Sequence, residues 1–182
     1  HSTTDHDYLA DGFWAMNKSE ELPNEGLTAS VLYRMEDVTD SIIPMLSDTL
    51  SGSDRSSKIK EITSRLKKDA SEDGKYNVVI KSFFSGNEYY MFVYEVYKDV
   101  RLVGAPPSSI GKFGGDTDNW MWPRHTGDFA IFRIYTAPDG SPAEYSDENI
   151  PLKPKHFLPI NLAPVKQNEF SMIWGFPGGT ER

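Results

Sequence analysis

Residues 111–128 read GKFGGDTDNWMWPRHTGD, and this stretch decides how the rest of the chain is interpreted. It contains four glycines, three aspartates and two tryptophans, and it ends where the β-rich run 129–135 begins. Glycine lets the backbone adopt left-handed or crowded conformations, and long ordered loops in compact domains usually carry function. The sequence therefore predicts a functional loop followed by a strand, with a surface loop stabilised by buried tryptophans as the alternative.

Outside this loop, short apolar runs alternate with turn residues. The runs 77–84 and 88–97 are β-rich and are joined by Ser85-Gly86-Asn87, a composition typical of a hairpin. Four further strands are predicted, at 27–35, 101–104, 129–135 and 170–175. Many short strands with one intervening helix indicate a mainly antiparallel β barrel or sandwich.

One amphipathic helix is predicted near residues 54–70, because apolar residues recur there at helical spacing. These residues are Ile59, Ile62 and Leu66. Ser53 or Asp54 is expected to cap its first turn. A second, short helix is expected around Pro44, since proline fits the first turn of a helix. Residues 149–164 contain four prolines and are interpreted as an extended connector between two barrel halves.

The composition excludes several classes of protein. The 182 residues carry a formal net charge of −8, so a nucleic-acid partner is not expected because no basic surplus neutralises phosphates. There are no cysteines, which excludes disulfides, thiolate nucleophiles and cysteine metal sites. No apolar run reaches the roughly 20 residues that a membrane-spanning helix needs.

Two ligand motifs fail in the central loop. Asp116 and Asp118 begin like a calcium loop, but Trp120 and Gly127 stand where oxygen ligands are required. A phosphate-binding loop is also excluded, because Phe113 stands where that motif needs Ser or Thr. The sequence therefore predicts neither a calcium site nor a nucleotide site.

Three motifs resemble, in the expected order, the bacterial dipeptidyl-peptidase 7 and 11 family of serine peptidases. They are HDYLADGFWA at 6–15, the loop at 111–128 and GFPGGTER at 175–182. The resemblance covers the whole chain and is weakest at 40–77. It implies a chymotrypsin-like double β barrel. Residues 1–150 would form the later part of the first barrel, with the helix and the acid-bearing loop, and 151–182 a connector and the start of the second.

Asp128 is expected to be the acid of a catalytic triad. A serine peptidase needs a nucleophile, a base and a carboxylate that orients the base. The resemblance implies that the serine follows residue 182 and that the histidine precedes residue 1, which leaves only the acid here. Asp128 lies at the junction of loop and strand after Gly127, a placement that suits a rigidly held carboxylate. The alternative is an aspartate that caps its own turn.

Substrate recognition is expected on the same loop. An enzyme that removes two residues at a time must recognise the free amino group of its substrate, which needs oxygen acceptors. By resemblance, Asn119 and Trp120 line the amino-terminal recognition site. Arg124 is expected in the same site, where pairing with Asp116 or Asp118 would organise the loop.

Two other loop residues, His125 and Trp122, have predicted roles outside catalysis and substrate recognition or roles that stay open. His125 is either a catalytic base or a structural residue, and the family pattern makes it structural. Trp122 is expected to anchor the core. A competing function class is a noncatalytic β-rich module that binds peptides or glycans through an aromatic platform of Trp120 and Trp122.

The resemblance implies serine-type dipeptidyl aminopeptidase activity on oligopeptides with a free N terminus, in the bacterial periplasm or at the cell surface. It implies no metal or organic cofactor, and it is compatible with a homodimer of the full-length protein. The side-chain preference at the residue before the cut stays open, because the family's determinant lies near its serine. The 182 residues alone are expected to be inactive.

Overall fold

The computed structural model describes residues 1–47, 49–118, 121–123 and 125–172. The strands are β1 (Phe13–Trp14), β2 (Leu22–Pro23), β3 (Ala29–Asp37), β4 (Asn77–Phe83), β5 (Glu88–Tyr97), β6 (Asp99–Ala105), β7 (Ile131–Thr136) and β8 (Ile150–Pro151). The α-helices are α1 (Tyr8–Asp11), α2 (Thr39–Ile42), α3 (Gly52–Ala70), α4 (Ser108–Gly111) and α5 (Gly115–Asp118). The prediction of a mainly β chain with one long helix is confirmed.

The strands form two antiparallel sheets. In the larger sheet the order is β1-β6-β7-β8, and β2 pairs with the same edge of β6 as β1 does. The smaller sheet has the order β3-β5-β4. The smaller sheet is formed by the part of the chain between β2 and β6 of the larger one, and one residue, Lys98, separates β5, which ends at Tyr97, from β6, which begins at Asp99.

The predicted hairpin is confirmed as β4 and β5, with Phe83 opposite Glu88. A short 3₁₀ turn at Phe84–Gly86 connects the two strands. Gly86 has a φ of 88°, a left-handed conformation that glycine adopts without steric cost. The turn chemistry read from the sequence therefore gives the correct connection.

The long helix α3 covers one face of the smaller sheet. Ile62 is buried, and Ile59 and Leu66 are partly buried against the core cluster, which includes residues of β4 and β5. The predicted cap is wrong by two residues or more, because Ser51, and neither Ser53 nor Asp54, precedes the first turn and accepts a hydrogen bond from the Asp54 amide at 3.3 Å. The short helix expected around Pro44 is present as α2 and the 3₁₀ turn Ile43–Met45 that follows it.

Strand β3 is less buried than its alternating pattern predicts. Val31, Tyr33 and Met35 are 40%, 44% and 54% exposed. The physical reason is that β3 is an edge strand, and the core under α3 draws its sheet residues from β4 and β5. Alternation identified the strand, but sheet position decided how far it is buried.

Three other expectations need correction or lie outside the described residues. Trp122 is 89% exposed, so the prediction that it anchors the core is wrong for this chain. The strand predicted at 129–135 begins later, at Ile131. Residues 170–172 are not in a strand, and 173–175 lie outside the described residues. The predicted division of the chain at residue 150 stays a prediction.

Candidate functional site

Hydrogen bonds close the base of the central loop. The Thr126 hydroxyl donates to the carbonyl of Gly111 at 2.6 Å and lies 3.2 Å from that of Ile110. The Gly127 amide donates to the Ile110 carbonyl at 3.0 Å. Because Ile110 and Gly111 end α4, the loop begins and ends at one place.

Asp128 comes next in the chain. It is exposed, precedes β7 by three residues, and lines a cleft of about 820 Å³ together with Lys112, Asp116 and the Ala105-Pro106 segment that follows β6. No hydrogen bond joins its carboxylate to any residue within the described ranges. The carboxylate therefore follows directly after the closed base of the loop, and its oxygens remain accessible.

Asp116 forms an exposed ion pair within the loop. Its carboxylate lies 2.5 Å from the ammonium of Lys112, four residues earlier in the chain. The hydrogen bond from Lys112 and the charge of this residue hold the pKa of Asp116 below its usual value. Asp116 therefore stays ionised beside Asp128 while its charge is balanced within the loop.

Asp118 contributes to the loop through packing. Gly114 has a φ of 74°, and a β-carbon built on it would lie 2.2 Å from the Asp118 β-carbon. Only glycine fits where the backbone approaches this closely. Gly114 therefore serves a tight local turn, of the kind that the sequence indicated.

His125 is exposed and packs edge-to-face against Phe113, with ring centroids 6.0 Å apart. The contact joins the two arms of the loop across its width. It agrees with the structural role that the sequence resemblance implies.

The three residues predicted to bind substrate, Asn119, Trp120 and Arg124, lie outside the described residues. The pairing of Arg124 with Asp116 or Asp118 lies outside them for the same reason. Their roles stay predictions from the sequence.

A support that the sequence analysis did not identify lies beneath α4. Gly12, which follows α1, has a φ of 74° and a ψ of 177°, a region of backbone space that is essentially restricted to glycine. A β-carbon there would lie 2.8 Å from Cδ of Pro107 and 3.0 Å from the Ala105 carbonyl oxygen. The backbone of the amino-terminal segment therefore lies directly against the residue that precedes α4.

A buried ionic network joins β6 and β7 at the ends farthest from Asp128. Arg101 donates two hydrogen bonds to the Asp99 carboxylate, at 2.9 and 2.7 Å, and a third to the Ser146 carbonyl at 2.9 Å. The Asn149 amide donates to Asp99 at 2.9 Å. Asp99 is 1% exposed and Arg101 7% exposed, so both charges depend on these partners.

Glu21 extends this network from the segment before β2. Its carboxylate accepts a hydrogen bond from Arg133 and another from the Tyr135 hydroxyl, each at 2.8 Å. The Arg101 guanidinium lies 3.8 Å from the centre of the Tyr135 ring. Burial, followed by the hydrogen bond to Glu21 and the charge of Glu21, raises the pKa of Tyr135 to about 12. Tyr135 therefore remains a donor at neutral pH.

The sequence contains a pattern from which this buried ionic network could have been predicted. Asp99 and Arg101 are two residues apart on one strand, as are Arg133 and Tyr135 on the next, so each pair shares one face of the sheet. The register sets Asp99 opposite Tyr135 and Arg101 opposite Arg133. Charged residues at alternate positions within a β-rich run indicate such a buried cluster once the pairing is known.

Within the residues that the structure describes, no group of three or more histidine, aspartate or glutamate side chains is arranged to hold a metal ion. The same part of the chain has no helix that is both long and apolar enough to cross a bilayer.

Comparison with known proteins gives matches over the full chain. A sequence model of the family described as Peptidase S46 matches residues 1–182. Dipeptidyl-peptidase 7 of Capnocytophaga gingivalis is 50% identical over 181 residues, which are 100% of this chain and 25% of that protein. An Asp/Glu-specific dipeptidyl-peptidase of Flavobacterium psychrophilum is 49% identical over 185 residues, again 100% and 25%. The chain therefore spans about a quarter of the length of these relatives.

Solved structures also match this chain. The crystal structure of Porphyromonas endodontalis DPP11 in complex with the dipeptide Arg-Asp is 48% identical to this chain, with a TM-score of 0.75. The match covers 91% of this chain and 25% of that one. The mainly β arrangement described above is therefore also found in a protein whose structure contains a bound dipeptide.

Proposed function

The chain belongs to the peptidase S46 family, and we propose that it is the acid-bearing part of a serine-type dipeptidyl aminopeptidase that releases dipeptides from the N termini of oligopeptides. The observation that carries the proposal is the placement of Asp128. An accessible carboxylate follows a loop that is hydrogen-bonded shut at its base, and it faces a cleft. Such a carboxylate can orient a histidine supplied from outside these residues.

The proposed mechanism assigns this chain one step of acyl transfer. Asp128 accepts a hydrogen bond from the histidine, which fixes the tautomer able to take the serine proton. When the histidine becomes charged, the carboxylate stabilises the imidazolium and keeps its own negative charge. We assign the role to Asp128 and not to Asp116, because the Asp116 carboxylate is paired with Lys112.

We further propose the finer features that the family resemblance implies. The fold of the intact protein would be a chymotrypsin-like double β barrel, and its location the periplasm or the cell surface. Relatives named dipeptidyl-peptidase 7 and relatives named Asp/Glu-specific dipeptidyl-peptidase match this chain at nearly the same identity, 50% and 49%. The residues that distinguish substrates by side chain are accordingly proposed to lie elsewhere in the protein.

A fluorogenic assay tests the proposed function. We expect the intact protein to hydrolyse dipeptidyl substrates and the 182 residues alone to give no turnover, because a carboxylate without its histidine and serine activates no nucleophile. A noncatalytic peptide- or glycan-binding module, which the exposed Trp122 favours, would bind without turnover in both forms. Turnover by the purified 182-residue chain would contradict the assignment of histidine and serine to other parts of the protein.

Recognition of the substrate amino group is proposed for Asn119. Truncation of Asn119 to Ala removes one acceptor for the ammonium group, and a hydrogen bond to a charged group contributes roughly 1.5 to 3 kcal/mol. We expect kcat/KM on peptides with a free N terminus to fall about ten- to a hundred-fold. Acetylated peptides never make that contact and should lose little.

The measurement is the ratio of kcat/KM for the free and acetylated forms of one peptide, in wild-type and Asn119→Ala intact protein. The acetylated peptide is an internal control, because it reports any general damage to the catalytic machinery. An unchanged ratio would remove amino-group recognition from Asn119.

A further inference from the structure

Thr126 stands at the closure of the central loop and touches both of its arms. The last carbonyl groups of a helix have no partner within that helix. At the end of α4, the carbonyls of Gly111 and Ile110 receive their hydrogen bonds from the hydroxyl of Thr126 and the amide of Gly127. At 2.6 Å, the contact from the Thr126 hydroxyl to the Gly111 carbonyl is the shortest of these bonds.

The short helix α4, which supplies the carbonyl that this hydroxyl contacts, is itself held in place by other contacts. The carbonyl of Pro107 accepts the amides of Ile110 and Gly111, each at 2.9 Å, which forms the single turn of α4. Behind it, Gly12 lies so close to Pro107 that no β-carbon fits between them. Thr126 therefore ties the returning arm of the loop to a part of the structure with little freedom to move.

The proposed triad acid lies next to this closure, because Asp128 is two residues after Thr126. A displacement of about 1 Å in a reacting group can cost about a hundred-fold in rate. The position of the acid therefore depends on how the loop is closed.

We propose that Thr126 is a positioning residue whose hydroxyl closes the central loop and thereby fixes the position of the proposed triad acid, Asp128. This inference rests on the proposed function for its kinetic consequence, but not for the closure itself. Thr126 acts through Gly111 and Asp128 and does not contact the substrate. The γ-methyl group of the threonine is not required, so serine should replace it.

Three variants of the intact protein separate the role of the hydroxyl from that of packing. Thr126→Val keeps the shape and removes the donor, while Thr126→Ser keeps the donor. Thr117→Val is the matched control, because Thr117 is an exposed threonine of the same loop and its hydroxyl makes no hydrogen bond to any residue within the described ranges.

Hydrogen–deuterium exchange tests the closure without reference to activity. In Thr126→Val, peptides that span residues 108–130 should exchange about ten-fold faster than in the wild type, the upper range for loss of one net hydrogen bond. Thr126→Ser and Thr117→Val should exchange at the wild-type rate. Equal exchange in all four proteins would overturn the proposal.

Kinetics test the consequence. We expect Thr126→Val to lower kcat about ten-fold, with Thr126→Ser restoring it. A wild-type kcat in Thr126→Val, or an equal loss in the serine variant, would overturn the positioning role. A wild-type protein that releases no dipeptides would instead refute the proposed function, and the exchange result would still decide whether the hydroxyl closes the loop.

Discussion

The Asp128→Asn variant of the intact protein is expected to lose about 10⁴-fold in kcat, while KM changes much less. An amide at this position presents a donor to the histidine, which favours the wrong tautomer and no longer stabilises the imidazolium. The fold should persist, because the Asp128 side chain makes no hydrogen bond to any residue among those described. Steady-state kinetics on a fluorogenic dipeptidyl substrate, with a circular dichroism spectrum of each protein, measures the effect.

Asp116→Asn is the matched control for this prediction. Asp116 lines the same cleft, but its carboxylate is exposed and paired with Lys112. Loss of an exposed ion pair should change kcat less than about five-fold. An Asp128→Asn enzyme that keeps more than about a tenth of the wild-type kcat would show that Asp128 is not the triad acid. A large loss in Asp116→Asn would transfer the role to that residue.

The Arg101→Ala variant is expected to lower the free energy of unfolding by about 3 to 5 kcal/mol. It leaves the carboxylate of Asp99, 1% exposed in the wild type, without the charge that balances it. It also removes the guanidinium from the Tyr135 ring and the donor from the Ser146 carbonyl. Urea denaturation followed by circular dichroism measures the change.

Lys98→Met is the control for the buried network. Lys98, which directly precedes Asp99 in the sequence, forms an ion pair with Glu144. The side chains of Lys98 and Glu144 are 52% and 76% exposed. Exposed ion pairs contribute less than about 1 kcal/mol, so this variant should unfold nearly as the wild type does. Equal destabilisation in Lys98→Met and Arg101→Ala would mean that burial does not set the energetic weight of the Asp99–Arg101 pair.

Local signals in the sequence predicted the elements of the fold. The hairpin at Ser85-Gly86-Asn87 and the helix over 54–70 are confirmed, because turn chemistry and helical periodicity act over a few residues. Burial was predicted less well. Trp122 and the apolar residues of β3 are exposed because burial depends on sheet order and on the position of α3, which no local pattern encodes.

The candidate site also has features that a local sequence pattern predicts and features that depend on the fold. The prediction of Asp128 combines the family resemblance with its place between loop and strand, which is a local property, and its role stays a prediction. The support beneath it was not identified, because Gly12 and Pro107 are distant in the sequence and meet only in the fold. The role of Thr126 also required the structure, since a threonine before Gly-Asp reveals a donor but not the carbonyl that it reaches.

The measurement that tests the central claim most directly is the mass of the products that the intact protein releases from one decapeptide with a free N terminus. The account predicts dipeptides in order, residues 1–2 and then 3–4, from the wild type, with their release about 10⁴-fold slower in Asp128→Asn. Single amino acids, internal fragments, or dipeptides at an equal rate from the Asp128→Asn protein would contradict it.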